Sequence, residues 1–137
     1  MADKVRRVDY FYFEVQDKPG EGARLLSKLA DGGVLLLFFV AFPVAGGKAQ
    51  FTVVPEKPDL ILTVAKNAGL KHSERKQCFL VQGDDRVGAA RDAFKRLADA
   101  NVNCVASSGV SAPGGTYGLV VFVKQADVAA AAKALGV

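Results

Sequence analysis

The chain repeats itself. Asp17-Lys18-Pro19-Gly20 returns as Asp85-Arg86-Val87-Gly88, and the flanking residues return with it at a constant offset of 68. Phe11 matches Phe79, Leu29-Ala30-Asp31 matches Leu97-Ala98-Asp99, and Val34 matches Val102. Gly46-Gly47 matches Gly114-Gly115, Val53 matches Val121, and Asp59 matches Asp127. The shared positions are turn residues and apolar residues, the two classes that a duplicated fold has to keep. Whatever one half folds into, the other must be able to fold into as well.

Each copy reads strand, helix, strand, strand, helix. Residues 8–15 and 78–82 are rich in aromatic and β-branched side chains, which marks strands. Behind the first turn, Gly22, Leu25, Leu26 and Leu29 fall on one helical face, and Arg24, Ser27, Lys28 and Asp31 on the other. This predicts helices over residues 22–31 and 90–99, the first stopped by Gly32-Gly33. Residues 34–44 form an almost unbroken apolar strand, Ala45-Gly46-Gly47-Lys48 a tight hairpin turn, and residues 50–54 the returning strand. Pro58 suits the first turn of a second helix, residues 59–68, which Gly69 ends.

This order is the split β-α-β plan. The fold class is α+β: two ferredoxin-like units, each an antiparallel sheet with two helices on one face. The expected units are residues 1–75 and 76–137. Residues 70–76 are placed to close the first unit's sheet, and by the same offset residues 2–8 close the second's.

Composition narrows the function. Eighteen basic and 14 acidic residues leave a net charge of +4, too evenly scattered to imply a nucleic-acid partner. The apolar run 34–44 is shorter than the roughly 20 residues a membrane helix needs. The charged start, residues 1–7, has no signal-peptide core, so a soluble cytoplasmic protein is expected. Cys78 and Cys104 read as reduced, packed thiols. His72, the single histidine, sits in a charged connector, so neither a zinc site nor a nucleophile–histidine set can be assembled around it. No metal, no cofactor and no enzymatic activity are expected.

The repeated turn does suggest binding. A strand that passes through glycine into a helix aims helix-start N–H groups and the positive end of the dipole outward, where a carboxylate or phosphate is favoured. The expected ligand is a small anionic or zwitterionic molecule.

The Asp-Lys-Pro-Gly-Glu-Gly-Ala turn, with Leu-x-x-Leu-Ala-x-x-Gly-Val-x-Leu behind it, resembles an ACT domain. So does Val-Gln-Gly-Asp-Asp-Arg-Val-Gly-Ala followed by Leu-Ala-Asp-Ala-Asn-Val-Asn. The resemblance covers nearly the whole chain as a tandem pair. It implies a non-catalytic regulatory or sensor protein that binds an amino acid or similar metabolite at the interface between units. The implied ligand-binding residues are Asp17, Lys18, Pro19, Gly20 and Glu21 in the first unit. In the second they are Asp85, Arg86, Val87 and Gly88, with Asn101 and Asn103 at the start of the following strand. The first unit departs from the family in having Leu35 where an asparagine is common, and the second has Val87 in place of a proline.

Three further readings follow from the residues. The apolar strand 34–44 would be an edge strand, so the other unit or a second chain should cover it, and a homodimer is expected. With no catalytic domain here, a regulated target would be a separate protein, and a ligand-free scaffold role is the alternative. An RNA-recognition module shares the same order, and Phe79 with Tyr117 to Phe122 partly resembles its stacking strands. Val81-Gln82-Gly83 with Arg86 faintly resembles an acylphosphatase loop, without that family's Arg-Asn pair.

Overall fold

The computed structural model describes residues 3–137. Residue 2, the first of the segment expected to close the second sheet, lies outside them, as does residue 1. The elements run β1 (Lys4–Gln16), α1 (Glu21–Asp31), β2 (Leu36–Val44), β3 (Lys48–Pro55), α2 (Pro58–Asn67), β4 (Lys76–Asp84), α3 (Arg91–Asp99), β5 (Cys104–Ala112), β6 (Thr116–Val123) and α4 (Val128–Leu135). They form two compact units: Asp9–Lys76 is the first, and residues 3–8 with Gln77–Val137 are the second. Both are antiparallel sheets with two helices, as the α+β, ferredoxin-like class requires.

In the first unit the strand order is β2-β3-β1. Phe11 and Phe13 from β1, with Phe51 and Val53 from β3, meet Leu25 and Leu29 of α1 and Ile61 and Ala65 of α2. All eight are buried, and fully burying the seven larger than alanine stabilises by about 1.5–3 kcal/mol each. In the second unit residues 4–8 of β1 lie beside β4, followed by β6 and β5. Phe79, Val81, Leu119 and Val121 pack there against Ala93 and Leu97 of α3 and Ala131, Ala132 and Leu135 of α4.

The offset of 68 reaches into the hydrogen-bond register. Phe11 opposes Val53 as Phe79 opposes Val121. The irregularity between Leu36 and Phe38 recurs between Cys104 and Ala106, against Pro55/Val54 and Val123/Phe122. The second helix departs from it. Ile61 and Ala65 correspond in burial to Val128 and Ala132, and Gly69 corresponds to Gly136, one residue nearer. Pro58 opens α2 directly, whereas a 3-10 turn at Gln125–Asp127 precedes α4. The expected match of Asp59 with Asp127 therefore fails by one residue.

Residues 70–75 form no regular strand. The Ser73 amide donates to the Tyr12 carbonyl at 2.9 Å, but the Tyr12 amide donates to Ser73 Oγ, also at 2.9 Å, rather than to a backbone carbonyl. A side chain thus takes the place of a ladder bond, and the segment turns His72 edge-on to Phe11 and Phe13. Among the described residues, no helix is long and apolar enough to cross a membrane.

Candidate functional site

The two turns share their backbone anchoring. Asp17 N–H donates to the Gly47 carbonyl at 3.0 Å, and Asp85 N–H to the Gly115 carbonyl at 2.8 Å, so each hairpin loop is tied to its turn. Gly20 (φ 93°) and Gly88 (φ 79°) occupy the left-handed region that lets the chain swing into the helix.

Their side chains differ. In the first unit Asp17 and Lys18 line a cleft of about 240 Å³ with Gly22, Ala41, Phe42 and Phe51, bringing the turn together with the end of β2. Lys18 Nζ lies 3.7 Å from Glu21, whose carboxylate is also 3.9 Å from Arg24. Among the described residues, the Asp17 carboxylate has no hydrogen-bond or ionic partner. Glu21 faces a neighbouring cleft of about 290 Å³ beside Arg24, Leu25 and Lys28. Gly20 supplies the helix N-cap, and Pro19 lies in the turn before it.

In the second unit the turn is engaged from within. Asp85 accepts the Arg86 amide at 3.0 Å. Both Arg86 terminal nitrogens donate to the Asp3 carboxylate at 3.2 Å, one also to the Asp84 carbonyl at 3.0 Å and the other to Asp92 at 3.4 Å. The Tyr117 hydroxyl donates to Asp3 at 2.5 Å. Hydrogen bonding from Arg86 holds the Asp3 carboxyl below the usual carboxylate range. The same carboxylate holds Arg86 more firmly protonated than a free guanidinium. Burial, then the hydrogen bond to Asp3, pushes the Tyr117 phenol up to about 12. Val87 is fully exposed.

Asn101 has φ 57° where its counterpart Gly33 has φ 80°, and its N–H donates to Ala98 O as that of Gly33 donates to Ala30 O. It terminates α3. Asn103 is exposed before β5, and neither asparagine lines the 560 Å³ cavity that Arg86 borders. Sequence reasoning missed Asp3 as a partner of the turn and weighed Gly83 and Tyr117 only for other roles. The available signal was departure from the repeat, since Lys71 and Ala49 stand where Asp3 and Tyr117 do. The aromatics proposed for RNA stacking are buried: Phe79 is 0%, Tyr117 7% and Phe122 8% exposed, so none offers a face to a base.

The sequence matches no family model and no curated protein. Solved structures do match. The protein BT0572 from Bacteroides thetaiotaomicron superposes with a TM-score of 0.81 at 12% identity, over 96% of this chain and 88% of that one. The ligand-free regulatory subunit of aspartate kinase from Thermus thermophilus gives 0.64 at 14% identity, over 98% and 94%. That from Thermus flavus gives 0.59 at 14%, over the same shares. The chain has a tandem ACT-like fold. Its two ACT-like units carry unequal turns: in the first the Asp17 carboxylate has no partner among the described residues, and in the second Arg86 is bound to Asp3.

Proposed function

We propose that this chain is a non-catalytic regulatory protein that binds an amino acid or similar small metabolite, with the first-unit turn, Asp17 to Glu21, as the principal site. The observation that carries this reading is the cleft joining that turn to β2. It presents the unpartnered Asp17 carboxylate and Lys18 beside the apolar side chains of Phe42 and Phe51. A zwitterion with a modest side chain needs such a pairing of charge and apolar surface. The likeness in fold to regulatory subunits of aspartate kinase supports a regulatory role. In the second unit Asp85, Gly88 and Asn103 form at most a secondary site, because Arg86 is held by Asp3.

We also propose a homodimer built through β2. Its outer edge is open in the first unit, and Leu35, Phe39 and Phe42 are 56%, 47% and 42% exposed. Open apolar edges are ready templates for pairing with another chain.

A thermal-shift screen of the full chain against the twenty amino acids, with a short RNA pool alongside, tests the binding reading. A ligand specific for the folded state must raise the melting temperature. One amino acid is expected to do so stereospecifically, with the effect lost in Asp17→Ala and kept in Asn103→Ala. A shift from RNA alone, or an amino-acid shift indifferent to Asp17→Ala, contradicts it.

A further inference from the structure

The second unit contains a larger cavity of its own, about 560 Å³. It is bordered by Val5 of β1, Val81 of β4, Asp92, Ala93 and Arg96 of α3, the Asp3–Arg86 pair and residues 135–137. Its size falls within the roughly 300–1,000 Å³ of small-molecule sites. The repeat supplies an internal comparison. By the offset of 68, Val81 stands where the first unit has Phe13, and Ala93 where it has Leu25. Phe13 and Leu25 are both core residues, each 2% exposed. The corresponding first-unit cleft, beside Leu25 and Lys28, measures only about 290 Å³. Two side chains that fill one unit are thus cut back in the other, while Tyr117 adds bulk to that core where the first unit has Ala49. Large-to-small replacement in a core costs more stability the larger the space it leaves.

The charges at this cavity are ordered. Arg86 is committed to Asp3 in a bidentate pair, and Asp92 is turned to Arg86 at 3.4 Å. Arg96 corresponds to Lys28 of the first unit and, among the described residues, makes no ion pair. One uncommitted guanidinium beside Val5, Val81 and Ala93 matches a molecule with one anionic end and an aliphatic body.

We propose that this cavity binds a short aliphatic carboxylate, with Arg96 holding the carboxylate and Val5, Val81 and Ala93 receiving the chain. The site is separate from the first-unit turn and does not depend on the amino-acid reading.

Titration calorimetry on the full chain with hexanoate tests it, with hexan-1-ol and hexylamine as neutral and cationic controls. Hexanoate is expected to bind while both controls bind at least about tenfold more weakly, the factor that 1.4 kcal/mol of ionic hydrogen bonding supplies. Arg96→Gln should cost a similar factor. Refilling the cavity with the first unit's own residues, Val81→Phe with Ala93→Leu, should abolish binding without lowering the melting temperature. Should the double variant fail to fold, Arg96→Gln carries the test. Asp17→Ala should leave hexanoate binding unchanged. The proposal is overturned by absence of hexanoate binding, by hexanol binding equally well, by indifference to Arg96→Gln, or by loss of binding in Asp17→Ala.

Discussion

Asp3 is the residue on which the second unit's turn depends. Its carboxylate meets Arg86 and Tyr117, and a Cβ on Gly83 would lie 2.1 Å from its Oδ1 and 3.3 Å from its Cα. Gly83→Ala should therefore displace the Asp3 side chain and destabilise by about 1–3 kcal/mol, the range for inserting a carbon into a packed site. In an Asp3→Ala background the same substitution should cost clearly less. Urea denaturation of the four proteins of that double-mutant cycle measures the difference. The cluster also sets a pH response. Folding favours the protonated Tyr117 phenol, raised from 10.0 to about 12. That contribution is complete below pH 10 and is lost as the pH rises towards 12. Folding favours the ionised Asp3, so its contribution is present above the ordinary 3.8 and is lost as the pH falls below it. Melting curves from pH 9 to 12 should show a steeper alkaline loss in the native protein than in Tyr117→Phe. None of this was legible in the sequence, because the contacts to Arg86 and Tyr117 join residues 83 and 114 positions apart.

At the scale of elements, the repeat has solved one packing problem twice. A Cβ on Gly22 of α1 would meet the Phe51 ring at 2.6 Å. At the matching positions the second unit has Ala90 and Leu119, a larger helix residue facing a smaller strand residue. Gly22→Ala should thus cost about 1–3 kcal/mol by overpacking. Adding Phe51→Leu, which reproduces the second unit's pair, should recover part of that cost, as chemical denaturation would show. The strands, hairpins and first helices were readable because turn residues and hydrophobic periodicity are local signals. The 3-10 start before α4 and the irregular residues 70–75 were not, since each depends on a side chain reaching backbone elsewhere. Gln125 clasps both the N–H and the carbonyl of Gln77, and Ser73 takes the place of a ladder partner for Tyr12. Asn101 was named beside Asn103 from the family resemblance, and its positive φ, which ends α3, was not legible in the sequence.

For the whole molecule, the proposed regulatory role rests on what the chain binds and what it assembles with. If β2 joins two copies, Phe39→Glu with Phe42→Glu places like charges on both edges. Sedimentation velocity should then find a monomer where the native chain is a dimer, while a native monomer would contradict that assembly. The tandem ACT-like fold was legible because a duplication displays its own invariants. The inequality of the two turns was not, since Lys18 and Arg86 look interchangeable until Asp3 is seen to hold one of them. The central claim is that the first-unit turn is the principal ligand site, and amide chemical-shift mapping of the labelled full chain tests it most directly. Each of the twenty amino acids would be added in turn. The account predicts that one of them moves the resonances of residues 16–22 and 41–43 and leaves those of residues 84–88 in place. Shifts centred on residues 84–88, or no shifts with any of the twenty, would contradict it.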